Sequence, residues 1–328
     1  MTLSPATPSD TPLHAEDHTA VDDRPTPEPA PVTTETASNQ EPLLVSAELW
    51  EPKPGELGFG PVDAMGPTGP DAVVSGLVAV AVEQKRPAMQ SDVGEATVVM
   101  PTIEEGSVKA VLALRFVAED GAKAAVELWS GTRGRFELSL ADAFHPGMSR
   151  FATISQYVNF PKGSGLPGKV WEEASPRVMH NLGKAVSFLR SSGAETDGLT
   201  EGAGIPIIAG IELRSVLLLL SSEQTPVTRV LEVYEPTDTE NPEAGLTRTG
   251  LASVGLKGWE ALPPQLGPMT EFGPVRRAWA DRKPVLLHDL EGLADQRRGM
   301  AVEGGVKYGV AIPVLAADRP RAVTLLLW

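Results

Sequence analysis

The sequence predicts an α+β fold with mainly antiparallel sheets flanked by helices, laid out as three copies of one unit. Three observations carry this reading. The same unlike landmarks recur three times at fixed spacing, strand-like and helix-like stretches mix without regular βαβ alternation, and short polar turns join one copy to the next. A fixed spacing of unlike residue types is hard to produce by chance, so the repeat governs the rest of the reading.

Residues 1–42 come first and stand outside the repeat. They hold eight prolines and eight carboxylates against one arginine, with no aromatic residue before Trp50. Such a stretch buries too little apolar surface to offset its ordering entropy, so a disordered acidic tail is expected. One arginine against eight carboxylates gives it −7 of the formal net charge of −15.

The first landmark is a strand-like Glu-apolar-aromatic triplet: Glu48-Leu49-Trp50, Glu127-Leu128-Trp129 and Glu232-Val233-Tyr234. The second is a Gly six places before a bulky residue that itself precedes a Pro by five: Gly76, Val82, Pro87, then Gly165, Trp171, Pro176, then Gly273, Trp279, Pro284. The third is an apolar-Pro pair ten residues before a buried-strand run: Met100-Pro101 with Val111, Ile205-Pro206 with Val216, Ile312-Pro313 with Val323. These place units at 43–117, 118–224 and 225–328. Within each the expected order is two strands, a Gly-rich turn, a short helix, a short strand at the Pro, an excursion and two terminal strands. The turns at 118–121 and 221–224 are read as hairpin-type connections. Lys184 to Glu195 reads as an amphipathic helix with Arg190 off its apolar side.

The excursion is where the copies differ. The interval from the Pro of the second landmark to the Pro of the third is 30 residues in copy two, 29 in copy three and 14 in copy one, by position. Copy one has lost it.

Copy two, from Phe160-Pro161-Lys162-Gly163-Ser164-Gly165-Leu166-Pro167-Gly168 through Phe188-Leu189-Arg190 to Gly204-Ile205-Pro206-Ile207, resembles the GAF domain, a small-molecule-sensing module of signalling proteins. Copy three resembles it with weaker glycines, and copy one only in its strands. The resemblance implies tandem GAF-like domains, each with a six-stranded antiparallel sheet and a pocket between the sheet and the excursion. It places Trp171, His180, Asn181, Phe188, Arg190 and Ala203 of copy two near such a pocket, with Trp279, His288, Asp289, Arg297 and Tyr308 in copy three. It also implies a sensory or regulatory role that binds a small molecule, a protein partner or both. With no effector segment before the chain ends at Trp328, output is expected through a partner or self-association.

Several chemistries are excluded from the outset. No cysteine is present, which removes thiolate zinc sites, cysteine nucleophiles, thiol redox chemistry and covalently held bilins. The acidic balance argues against nucleic acid and anionic membrane as partners. No aliphatic run, Val216 to Leu220 included, approaches the roughly 20 residues of a membrane span, and the N-terminus has no leader pattern, so a cytoplasmic protein is expected. The Asn-Lys and Asp-Glu signature of cyclic-nucleotide-binding GAF domains is not recognisable, which leaves cyclic nucleotides unsupported and not among the exclusions.

The string Gly163 to Lys169 fits two phosphate-loop patterns and fails the mechanics of both: Val170 stands where magnesium needs a hydroxyl, and Pro167 interrupts the dinucleotide loop. It reads as a tight turn opening a helix. His180 and His288 read as packed or capping residues, polar pocket contacts, or axial haem ligands. Asn181 and Asp289 read as helix caps or pocket residues. Arg190 and Arg297 read as a salt bridge on a solvated face or as contacts to an anionic ligand. Trp171 and Trp279 read first as core aromatics, because every copy puts an apolar residue there. No Gly-x-Ser-x-Gly elbow or metal constellation is visible, so neither an enzyme nor a bound cofactor is expected. The rival reading is an assembly protein whose sheets mediate contacts and whose pockets are filled. A cavity of about 300 Å³ beneath the excursions would favour the sensor and a filled core the assembly protein. Ligand is expected only in copies two and three, with copy one as a cap.

Overall fold

A computed structural model describes residues 41–131, 136–266 and 273–328. The tail expected at 1–42 lies, apart from Glu41 and Pro42, outside them. The chain first forms β1 (Leu44–Pro52), β2 (Phe59–Met65), α1 (Ala72–Gln84), β3 (Ala88–Asp92), β4 (Glu95–Glu104) and β5 (Ser107–Val117), a sheet ordered β2-β1-β5-β4-β3. It continues through β6 (Ala124–Gly131), β7 (Glu137–Phe144), α2 (Ser149–Tyr157), β8 (Asn159–Pro161), α3 (Gly165–Glu173), β9 (Arg177–His180), α4 (Ser191–Asp197), β10 (Leu199–Ala209) and β11 (Glu212–Ser222). These make a six-stranded sheet ordered β8-β7-β6-β11-β10-β9. Last come β12 (Val230–Pro236), β13 (Leu246–Ser253), α5 (Pro274–Asp281), β14 (Val285–Leu287), α6 (Asp295–Glu303), β15 (Gly309–Ala316) and β16 (Arg319–Leu327), ordered β13-β12-β16-β15-β14. Every pairing in these sheets is antiparallel.

The period-two alternation of the strands decides the packing. On β1, Ala47 and Leu49 face one way and Glu48 and Trp50 the other. The first set joins Met100 and Leu112, Leu128, Ile205 and Leu217, and Val233, Ile312 and Leu326 in one apolar cluster fed by all three sheets. The other faces carry separate clusters under α1, α3 and α5. The sheets therefore share their inner faces and bury their outer faces individually.

The apolar-Pro landmark has its reason here. Pro101, Pro206 and Pro313 pair with Val111, Val216 and Val323 on one side, and lie beyond the last residue that β3, β9 or β14 pairs on the other. A residue without an N–H costs nothing where no neighbour strand waits to accept. At that open edge β4, β10 and β15 meet one another around a void of about 30 Å³. The sheets also touch in a ring: β3 against β7, β9 against β13, and β14 against β2. Each contact joins the same pair of edges, so the arrangement is head-to-tail and it closes.

The second landmark marks a helix that stops on a left-handed residue two places before the Pro. Lys85, Ala174 and Arg282 have φ of 52°, 50° and 54°. At the opening of α3, Gly168 is required by close approach, since a Cβ there would lie 2.1 Å from the Pro161 carbonyl oxygen.

Two local expectations are corrected. The segments 118–121 and 221–224 are not hairpins, because β5 already pairs with β1 and β4 and so β6 enters a different sheet. The helix expected over 184–195 is confined to Ser191–Asp197. Arg190 is drawn inward at its start, and Val186 and Leu189 on the preceding turns are exposed.

Candidate ligand site beneath the third sheet's excursion

Glu48, Glu127 and Glu232 each sit two residues before an aromatic on the same strand and so share its outward face. All three are buried, and each accepts from that aromatic: Trp50 Nε1 at 3.0 Å, Trp129 Nε1 at 2.8 Å and the Tyr234 hydroxyl at 2.7 Å. What else reaches them differs between the copies.

In copy two the Arg190 guanidinium forks onto Glu127, with Nη2 donating to Oε2 at 2.8 Å and Nη1 to Oε1. His145 Nε2 lies 2.7 Å from the same carboxylate, and the Ser155 hydroxyl donates to it at 3.1 Å. The rings of Phe151, Trp129, Phe188 and Phe160 surround the guanidinium carbon at 4.6 to 5.7 Å. Burial alone would raise the Glu127 pKa, yet the charge of Arg190 and the bonds from His145 and Arg190 hold it well below the ordinary range. The space between sheet and excursion is filled by Leu166, Leu182, Phe188 and Arg190.

In copy three Arg297 Nη1 spans both oxygens of Glu232 at 2.7 and 2.8 Å, and its Nη2 donates to the Pro263 carbonyl at 2.9 Å. Arg248 and Trp259 complete the cluster at 2.7 and 3.0 Å. Burial raises the Glu232 pKa, and Arg297 and Arg248 more than reverse it. Burial and the neighbouring carboxylate push the Tyr234 hydroxyl well above its usual range, so it remains a donor. The aromatic cage is thinner: Trp259, at 5.8 Å, is the ring found against Arg297 among the described residues. Counted back without a gap from the Ile-Pro pairs, Asp295 stands where copy two has Phe188. A cavity of about 420 Å³ opens here. Leu262, Leu266, Val275, Leu293 and Leu325 form its apolar walls, and Gln265, Gln296, Arg276 and Arg297 its polar edges.

Copy one has no excursion: β3 turns straight into β4 through Val93-Gly94. Glu48 accepts from Trp50, and Arg115 is engaged instead with Asp71. Burial raises the Glu48 pKa, the Trp50 bond only partly offsetting it.

The residues singled out from the sequence are dispersed by this geometry. Arg190 and Arg297 are buried partners of Glu127 and Glu232, a correction to the solvated-face reading. Phe188 packs inside copy two, Trp171 is half-buried at the end of α3, and Trp279 is buried with Nε1 3.3 Å from Glu243 Oε1. Ala203 faces the shared inner core, so it is not a pocket residue. His180 and His288 are exposed and belong to the seams. His288 Nε2 meets Asp63 of copy one at 2.8 Å, while Ser91, its counterpart, meets Asp142 of copy two at 3.4 Å. The position equivalent to those two aspartates on β13 is Gly250, and His180 pairs instead with Glu201 of its own sheet, which raises its pKa. Asn181 and Asp289 occupy left-handed turns, with φ of 53° and 48°, and not helix caps. Tyr308 is half-buried beside Trp328, at a second cavity. Sequence reasoning missed the glutamate-arginine pairing, although one signal was present: the copy without the excursion is also the copy without the arginine.

Among the described residues, no group of three or more His, Cys, Asp or Glu is placed to hold a metal ion, and no helix is long and apolar enough to cross a membrane.

No protein-family model matches the chain, and no curated protein matches it. Similar solved structures include a free methionine-R-sulfoxide reductase from Neisseria meningitidis in complex with its substrate, 16% identical over 31% of this chain and 53% of that one, TM-score 0.24. A NreA protein of Staphylococcus aureus mutated in its nitrate binding site is 18% identical over 33% of this chain and 80% of that one, TM-score 0.26. The GAF domain of A. aeolicus nlh2 in an inactive state is 20% identical over 31% and 59%, TM-score 0.24. The chain thus spans about half the length of the first of these. Likenesses of this size identify no family.

Proposed function

We propose that the chain is a non-catalytic sensory or regulatory protein of GAF-like units, and that its third unit holds a small molecule in the cavity beside α6. One observation carries this reading: beside the buried arginine that both copies share, copy three has a cavity of about 420 Å³, within the range of ligand sites, while copy two packs Leu166, Leu182 and Phe188 around its own. The walls are apolar, the edges polar, and below them Glu232 is shared by Arg297 and Arg248. A ligand there needs an apolar body and hydrogen-bonding edges. Native mass spectrometry of protein from its own host reports what is bound, and thermal-shift screening of Ala294→Trp against the unchanged chain reports where. A ligand that stabilises the parent protein and leaves Ala294→Trp unmoved is the expected result; equal stabilisation of both removes the cavity from the proposal. The second reading, an assembly protein, draws on the filled interior of copy two and the shared inner core, and predicts that no compound from the screen stabilises the parent protein.

A further inference from the structure

A second cavity of about 420 Å³ lies where the joints between copies converge. Leu43 to Val45 at the start of β1, the 117–122 joint, Thr225 of the next joint, and the Tyr308 and Trp328 pair all contribute to it. Two features set it apart from the repeat. The first is the aromatic pair, with ring centroids 6.0 Å apart and tilted by 44°. The positions equivalent to Tyr308 and Trp328 are Glu201 and Ser221 in copy two and Ala96 and Phe116 in copy one, so the fold of the unit does not require the pair of rings. The second is charge. Glu41, Glu119 and Asp120 line the cavity, are exposed, and have no ion-pair partner among the described residues. Lys307 shares the rim, and three carboxylates against one ammonium leave two negative charges over an aromatic wall. An excess of carboxylates beside two aromatic rings around an apolar hollow favours one kind of guest, since a cation is attracted by the carboxylates and by a ring face while an anion is repelled by both.

We propose that this cavity binds a small organic cation, an alkylated ammonium on an apolar body. Its charge sits between the Glu119–Asp120 turn and the Tyr308–Trp328 rings, and its body rests against Val117 and Pro67. The site is separate from the cavity beside α6 and does not depend on it.

The test uses the full chain, benzyltrimethylammonium as probe, and its uncharged isostere neopentylbenzene as control. Indole resonances in ¹⁵N-tryptophan-labelled protein are followed on titration, with Trp328→Phe assigning the relevant peak. The expected result is a saturable shift of the Trp328 signal by the cation and none by the isostere, with affinity falling about tenfold in Glu119→Gln/Asp120→Asn. Those two side chains are exposed, so the double variant folds as the parent does, and Ala294→Trp leaves the titration unchanged. Equal response to cation and isostere, an unaltered affinity in the double variant, or no saturable shift at tens of millimolar probe overturns the proposal.

Discussion

Glu48, Glu127 and Glu232 hold one position in three sheets, and their surroundings set three different charge environments. Removing one partner of a buried pair strands the other, at about 3 to 5 kcal/mol. Arg190→Met is therefore expected to lower stability by that order in urea unfolding, and Glu127→Gln/Arg190→Met to recover much of the loss. The same positions respond oppositely to pH. Glu127 and Glu232 have lowered pKa values, so their contribution is present above the ordinary value of 4.5 and is lost as pH falls through the lowered ones. Glu48 has a raised pKa, so the native state binds the proton more tightly and stability falls as pH rises from 4.5 upward. Glu48→Gln is expected to be more stable than the parent at pH 7, with the difference vanishing below pH 4.5. A midpoint difference that is constant with pH would show that the Glu48 carboxyl does not titrate differently in the folded state.

At the scale of elements, α1, α3 and α5 all end on a non-glycine residue in the left-handed region, where a Cβ costs roughly 1 to 2 kcal/mol. Ala174→Gly relieves this at the price of one half-buried methyl and some chain entropy, and a net gain of about 0.5 kcal/mol in chemical denaturation is expected. The strands and the helices before the Pro were legible because they rest on local spacing, and the prolines were legible as landmarks before their reason was. The excursion was not. Over Lys184 to Glu195 the local pattern suits a helix, but Arg190 is turned inward by Glu127, 63 residues earlier, and no local periodicity contains that partner. The histidines failed for a related reason: a repeated position signals a shared structural place, and here that place is a seam between sheets. The cavity beside α6 was legible only as a space that the excursion encloses.

For the whole molecule, the shared inner core ties the three sheets into one cooperative body. No sheet keeps its inner face covered alone, so the described region is expected to unfold in a single transition, with tryptophan fluorescence and near-ultraviolet circular dichroism giving one midpoint. Two separated midpoints would mean that a sheet opens independently. For the same reason a chain beginning at residue 118 is expected to expose the inner faces of β10 and β15 to water, and to associate or lose cooperativity. Measuring its mass by light scattering beside its unfolding curve distinguishes these from an independently folded remainder.

The closed ring of unlike copies has one more consequence. In a trimer of identical chains every substitution is made three times, so a hollow opened in one subunit is opened in all, and its cost to packing is tripled. Covalent succession breaks that bond. Here one member has shed its excursion, one has sealed its interior around Arg190, and one is hollow beside Arg297, while the edges through which they meet are the same. The chain thus permits a division of labour in which the other two members bear the stability that a hollow third gives up.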